Sequence, residues 1–270
     1  MRMTVAVKNL LIINLLFFAA EIVFSRSMGV NLDDYLGLHY VSAEHFGVWQ
    51  LVTFMFMHAN ISHIFFNMFA LWMFGTAIES ALGTKRFVIY YLACGVGSGI
   101  IQELAVGIDL QPVIASVDAL LSDPTTANIQ DFLATTARVV SIESQQLITT
   151  FIETYNKTVG ADPTGAASMA REFAQQYQQM YIDAQVTVGA SGAVFGILLA
   201  FGMIFPNMRI MLLIPPIPLK AKWFVLIYGV LELFGGINGG NYDNVAHWAH
   251  LGGMLFGFLL LRAWKVSRIN

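Results

Sequence analysis

The sequence predicts an all-α membrane protein with six membrane-spanning helices and an extracytoplasmic helical insertion between the third and the fourth. Three observations carry this prediction. Of the 270 residues, 57% are hydrophobic and only 11% are charged, a balance outside the usual range of soluble domains. Six apolar segments are about 17–25 residues long, enough to cross a hydrocarbon core of about 30 Å as helices. A polar stretch, residues 108–185, separates the first three segments from the last three.

The chain divides into a first helical part (residues 1–107), the insertion (108–185) and a second helical part (186–270). The first predicted span can alternatively be interpreted as a cleaved signal peptide, but the residues around Glu21 lack a convincing cleavage pattern. The predicted spans are Val7–Phe24, Leu51–Ile78, Phe87–Val106, Val186–Phe205, Trp223–Gly236 and Val245–Trp264.

The distribution of charge predicts an orientation and excludes some partners. With a cytoplasmic N-terminus, ten of the fourteen Lys and Arg residues fall on the cytoplasmic side, where such residues are normally in excess. Both termini are therefore predicted to be cytoplasmic. The net charge is only −3 and the basic residues form no long run, so no nucleic-acid partner is expected. The single cysteine, Cys94, can form neither an intramolecular disulfide nor a cysteine metal cluster.

The insertion is predicted to be an acidic helical hairpin. It contains nine acidic and three basic residues, a formal charge of −6. Asp123-Pro124 and Asp162-Pro163 each have the form of an N-cap followed by proline at the first helical position, so a helix is expected after each pair. Apolar stripes follow on both helices, the first running from Ile129 to Tyr155 and the second from Met169 to Ala184.

Four polar side chains inside the predicted spans need an explanation, because such groups are costly in a membrane. They are His63, Asn67, Ser191 and His250. Each has a structural interpretation. Ser191 belongs to a small-residue packing face with Gly192 and Gly196, and the other three side chains could simply form interhelical hydrogen bonds. We interpret His58, which lies on a different face from His63, as structural.

Depth in the membrane favours a common site. Counting about 1.5 Å per residue from the cytoplasmic boundary of each helix, Ser191 and His250 lie about 21 and 18 Å deep. His63 and Asn67, four apart on one helix face, lie about 24 and 18 Å deep. The four side chains therefore reach one level, about 10 Å below the outer surface of a core of about 30 Å. A cavity open to the outside could supply water there.

These groups satisfy the requirements of acyl transfer. A neutral His250 can take the proton of Ser191 and later give it to the leaving amine. The backbone N–H of Ser191 at a helix N-terminus, together with His63 and Asn67, can stabilise the oxyanion. Glu232 on the fifth span is expected to lie away from this level, so a Ser–His dyad is predicted rather than a triad. Phe195, one turn after Ser191, either packs on the imidazole or serves ordinary packing.

At these residues the sequence resembles the rhomboid family of intramembrane proteases. Gly189-Ala190-Ser191-Gly192 resembles the family's GxSG motif, Ala249-His250 with Gly253 and Gly257 resembles its AHxxGxxxG motif, and His63 to Asn67 is similar to its HxxxN motif. The motifs fall in order on the second, fourth and sixth predicted spans. Two departures from the family pattern are Gln50, where arginine often follows the tryptophan, and Phe195, where tyrosine is often found.

The resemblance implies a rhomboid-like six-helix bundle and a serine endopeptidase without cofactor or metal. It implies a dyad of Ser191 and His250, with His63 and Asn67 completing the oxyanion hole. Substrates would be transmembrane segments of other proteins, cleaved near the outer face. The expected location is the lipid bilayer of a bacterial inner membrane, and the oligomeric state is left open.

Two other functions and two roles for the insertion remain open. A catalytically silent relative would bind and escort membrane helices, but such relatives usually lack the serine or the histidine. A transporter would need charged pairs along a path through the membrane, and the cytoplasmic half of these helices offers little beyond Glu232. The insertion is either a lid or docking platform near the active-site mouth or a self-contained hairpin.

Overall fold

A computed structural model describes residues 2–211, 217–238 and 245–269, and most of them are helical. In chain order the helices are α1 (Val5–Met28), α2 (Asp33–Leu36), α3 (Gln50–Thr53), α4 (Ile61–Ala70), α5 (Thr76–Leu82), α6 (Thr84–Ser122), α7 (Thr126–Thr135), α8 (Ile142–Thr158), α9 (Pro163–Asp183), α10 (Ser191–Ile204), α11 (Ala221–Asn238) and α12 (His247–Ala263). The short strands are β1 (Leu38–His39), β2 (Val186–Thr187), β3 (Arg209–Met211) and β4 (Pro218–Lys220). β3 and β4 pair antiparallel, with Ile210 opposite Leu219.

The chain forms two compact units. The first comprises Met1–Leu38, Gly47–Glu103 and Thr187–Asn270, and the second comprises His39–Phe46 and Leu104–Val186. The sequence-based division at residues 107 and 185 stays a prediction.

Four helical segments among the described residues are long and apolar enough to cross a membrane. They are Val5–Met28, Ile61–Leu82, Thr84–Ser122 and Ala221–Asn238. α10 is also apolar but has only 14 residues. These segments support the predicted all-α membrane fold, while the arrangement of six spans stays a prediction.

The second predicted span begins ten residues later than expected. Instead of a helix from Leu51, the chain forms α3, a 3-10 helix (Phe54–Phe56) and an extended residue, Asn60, before α4 begins. The Asn60 side chain accepts a hydrogen bond of 2.9 Å from the N–H of His63 and so caps α4. This local polar cap decides the helix start, which the apolar sequence alone did not reveal. A π-helical turn (Leu71–Gly75) then joins α4 to α5.

Two other helix ends also differ from the predictions. α6 continues to Ser122 instead of ending at Val106, with Pro112 inside the helix. The fourth predicted span begins at Ser191 rather than at Val186. In both cases the change in polarity along the sequence does not coincide with the end of the helix.

Buried Glu79 of α5 holds the N-terminal end of α1. Its two carboxylate oxygens each accept a hydrogen bond of 3.0 Å, one from the N–H of Ala6 and the other from the N–H of Val7. These N–H groups lie in the first turn of α1, where no carbonyl of the same helix can accept from them. The carboxylate therefore fixes α1 within the first unit.

The second unit has its own hydrophobic core, and its helices differ in part from the predicted hairpin. The first predicted helix is two helices: Thr125 rather than Asp123 caps α7, and Ser141 forms a capping box with Ser144 at the start of α8. The Asp162-Pro163 start of α9 is confirmed, since the Asp162 side chain accepts from the N–H of Gly165 at 2.9 Å. The buried core residues are Val117, Leu120, Ile129, Phe132, Phe151, Tyr155, Ala166, Ala170, Phe173, Ala174 and Tyr177.

Candidate active site

Ser191 and His250, on two different helices, are in hydrogen-bonding contact. Ser191 is the first residue of α10, and His250 lies in the first turn of α12. The His250 Nε2 atom is 2.8 Å from the Ser191 Oγ atom. His250 is only 8% exposed, and Ser191 is partly buried. The sequence analysis expected these two side chains at one depth and on helices that approach closely, and the contact of 2.8 Å agrees with that expectation.

Glycine allows α10 and α12 to approach closely enough for this contact. A Cβ atom at Gly253 of α12 would overlap the backbone carbonyl of Gly192 on α10, and a Cβ at Gly196 would come within 3.0 Å of the Gly253 carbonyl oxygen. The close packing expected at Gly192 and Gly196 is therefore confirmed, with Gly253 as their neighbour on α12, whereas a Cβ at Gly257 would instead meet Tyr90 and Cys94 of α6.

The turn before Ser191 also requires glycine. Gly189 has a φ of +130°, a conformation that side-chain-bearing residues rarely adopt. Its N–H donates to the Phe54 carbonyl at 2.9 Å, which ties the turn to the 3-10 helix. A Cβ at this position would come within 2.8 Å of the His63 Nε2 atom. The imidazole of His63 therefore lies directly beside the segment that presents Ser191.

Asn67 lies one turn after His63 on α4 and is 6% exposed. Its Nδ2 group is buried and has no hydrogen-bond partner among the described residues. Buried donors are normally paired, so an unpaired one in a candidate active site is a donor available to a ligand. In the structure, His63 lies next to Gly189. Asn67 is buried, and its side-chain amide N–H group is unpaired among the described residues.

Phe195 stacks on the imidazole of His250. The ring centroids are 4.1 Å apart and the planes differ by 7°. Of the two sequence interpretations of Phe195, packing on the imidazole is the one that the geometry bears out.

His58 has its Nδ1 atom 3.3 Å from the Phe56 carbonyl oxygen, and its ring centroid is 5.1 Å from that of His63.

The expectation for Glu232 is wrong. Its Oε2 atom is 2.8 Å from the Nδ1 atom of His250 and 2.6 Å from the Nδ1 atom of His247. Counting residues along an isolated fifth span did not reveal this contact, because it depends on how α11 packs against α12. The one available signal was the carboxylate itself, which is costly in the middle of an apolar helix.

Glu232, His247 and His250 each offer one ligand atom, and these atoms lie within 4.8 Å of one another, so the group could hold a metal ion by its donor set. A single oxygen already accepts from both imidazoles, however. Hydrogen bonding therefore accounts for the three side chains as they stand.

Comparison with known proteins identifies the family. A family model described as the rhomboid domain matches residues 45–109 and 147–266, which together make up more than half of the chain. The chain belongs to the rhomboid family. Ser191, His250, His63 and Asn67 all lie inside the matched rhomboid segments. Family membership and the apolar helices together indicate an integral membrane protein.

Named rhomboid relatives match over shorter stretches. The rhomboid protease GluP of Bacillus subtilis (strain 168) is 44% identical over 52 residues, which are 19% of this chain and 10% of that protein. The rhomboid protease GlpG of Yersinia pestis (strain Pestoides F) is 30% identical over 88 residues, 33% of this chain and 32% of that protein. The chain thus covers about a tenth to a third of the length of these rhomboid relatives.

Proposed function

We propose that this protein is an intramembrane serine endopeptidase that cleaves transmembrane segments of other membrane proteins near the outer face of the membrane. The observation that carries the proposal is the distance of 2.8 Å between His250 Nε2 and Ser191 Oγ. A serine hydroxyl is a weak nucleophile unless a base accepts its proton, and an imidazole within hydrogen-bonding reach is that base. The names of the rhomboid relatives support the same activity.

The proposed chemical steps begin from the contact between Ser191 and His250. His250 accepts the Ser191 proton while Oγ attacks the scissile carbonyl carbon, and the tetrahedral intermediate carries a negative oxygen. The N–H of Ser191 at the start of α10, the His63 imidazole and the unpaired Asn67 amide are the proposed donors to that oxygen. His250 then protonates the leaving amine as the peptide C–N bond breaks. In the second half, a water oxygen attacks the acyl carbon while His250 accepts its proton, and His250 returns that proton to Ser191 Oγ as the ester bond breaks.

The proposed location is a bacterial inner membrane with both termini in the cytoplasm. It rests on the excess of Lys and Arg on one side of the predicted spans. The proposed partners are transmembrane protein substrates and the surrounding lipid. Close approach of the site to the outer surface would let water reach the acyl-enzyme.

The test uses the full chain in liposomes with a reporter transmembrane protein and a fluorophosphonate probe. Ser191→Ala and His250→Ala should each lower the cleavage rate by at least about 10³-fold, because nucleophile and base act as one unit. The probe should label the unmodified protein, with the label mapped by mass to Ser191. Both variants should remain folded, checked by thermal unfolding.

Cleavage retained by a folded Ser191→Ala variant would overturn the proposal. Absence of labelling in a protein that still binds a substrate helix would instead favour a helix-binding role without catalysis.

A further inference from the structure

Glu232 is unusual within its own helix. α11 presents mostly large apolar side chains to its surroundings, among them Leu231 and Leu233 on either side of Glu232, which are 58% and 45% exposed. Glu232 itself is one of the few buried residues of α11, at 9% exposure. A carboxylate in such a helix is expensive and normally points to a functional role. Here it points towards the imidazole of His250.

The hydrogen bond to Glu232 selects the tautomer of His250. An ionised carboxylate can only accept, so the Nδ1 atom of His250 must carry the proton in the contact of 2.8 Å. A neutral imidazole with its proton on Nδ1 has a free lone pair on Nε2, the atom that faces Ser191 Oγ. The arrangement therefore holds His250 in the one neutral form that can act as a base towards Ser191.

The same contact stabilises the charge that develops during the reaction. When His250 accepts the Ser191 proton it becomes an imidazolium, and an adjacent carboxylate favours the charged form. His247 supports this geometry, since its Nδ1 atom lies 2.6 Å from the same carboxylate oxygen. A second donor on Oε2 holds the carboxylate in place.

We propose that Glu232 is a positioning residue that extends the pair to a Ser191–His250–Glu232 triad, with His247 fixing the carboxylate. This inference rests on the proposed protease function. It departs from the dyad that the rhomboid resemblance implies. The competing explanation is structural: Glu232 could serve only to join α11 to α12 through the two histidines.

The first experiment is a substitution in the whole 270-residue chain. Glu232→Gln keeps the size of the side chain but can present an N–H to Nδ1, which favours the wrong tautomer. We expect kcat for a reporter transmembrane substrate, and the rate of fluorophosphonate labelling, to fall by about 10²-fold or more with KM within about 2-fold. A purely structural role would lower the folded fraction without this separation of kcat from KM.

The matched control is Glu79→Gln, the same substitution at the buried carboxylate that holds α1. It should lower the unfolding temperature, whereas kcat per folded molecule should stay within about 3-fold because Glu79 makes no contact with the pair. An equal loss of kcat in both variants would identify the effect as structural and overturn the inference.

A second measurement does not depend on any variant of Glu232 folding. Nitrogen-15 NMR of the histidines in the unmodified protein, with His250 assigned by the signal lost in the His250→Ala variant, reports which ring nitrogen is protonated. We expect the Nδ1–H form at a pH where the enzyme is active. A predominant Nε2–H form, or unchanged kcat in a folded Glu232→Gln variant, overturns the triad. If Ser191→Ala is inactive in the same assay, the proposed protease function survives that result.

Discussion

At the scale of single residues, a substitution of Asn67 is expected to lower the proposed activity with little effect on the stability of the fold. Its buried Nδ2 donor has no partner among the described residues. In Asn67→Ala the folded protein therefore loses no hydrogen bond from that donor, whereas in the proposed mechanism the oxyanion loses one. We expect kcat/KM to fall by about 10²–10³-fold. The free energy of unfolding should change by no more than about 1 kcal/mol. Steady-state kinetics and thermal unfolding in detergent measure the two effects.

Asn14 provides the opposite case. It is fully buried in α1, and its Nδ2 group donates to the Leu10 carbonyl at 2.7 Å. Asn14→Ala should lower the unfolding temperature and leave kcat per folded molecule unchanged. If Asn67→Ala behaved like Asn14→Ala, Asn67 would be a structural residue.

At this scale, the sequence predicted some residues of the candidate site and missed the contact of Glu232. Ser191 and His250 could be predicted because each is a polar residue in an apolar helix and because their depths agree. Glu232 has the same signal, but helix counting assigned it to another level. Its contact depends on the lateral packing of α11 against α12, which residue counting along one helix does not contain. The sequence thus identified polar residues that need an explanation, whereas the contact of Glu232 with His250 required three-dimensional packing.

At the scale of helices, the α10–α12 contact depends on the absence of side chains. In Gly253→Ala the added Cβ would overlap the Gly192 backbone carbonyl, which cannot move without shifting α10. We expect a destabilisation of about 1–3 kcal/mol and slower labelling of Ser191, since overpacking is relieved by backbone shifts. Thermal unfolding and the labelling rate, measured on one preparation, test this.

The control for that substitution is Gly229→Ala in α11. A Cβ there would approach only the flexible end of Met254, at 3.3 Å. The control variant should keep its unfolding temperature and labelling rate. If the two variants were equally stable, the close contact of the two helices would not matter for the site.

Helix ends were less predictable than helix positions, for a physical reason. Hydropathy reports where a helix is apolar, but its end is set by local capping groups such as the Asn60 side chain at α4 and Ser141 at α8. The Asp162-Pro163 start of α9 was predicted correctly because the cap itself is visible in the sequence. Asp123-Pro124 is the same dipeptide, yet the N-cap residue of α7 is Thr125.

At the scale of the whole molecule, the site residues and the insertion belong to different compact units. Ser191, His250, Glu232, His63 and Asn67 all lie in the first unit. The second unit has a separate core, in which the rings of Phe151 and Phe173 stack with centroids 4.0 Å apart. Removal of the insertion should therefore leave the reactivity of Ser191 intact, even if the insertion helps to select substrates.

Replacing Asp118–Ala184 with a flexible Gly/Ser linker tests this separation. The excised segment holds most of the second core and none of the five site residues. Since a unit with its own core can fold by itself, fluorophosphonate labelling of Ser191 should persist within about 3-fold. If the insertion is a lid or docking platform, the ratio of cleavage rates for two reporter transmembrane substrates should change. An unchanged ratio would support the self-contained interpretation. Loss of labelling in a variant whose first unit still unfolds cooperatively would contradict the separation, since the site would then need the second unit to form.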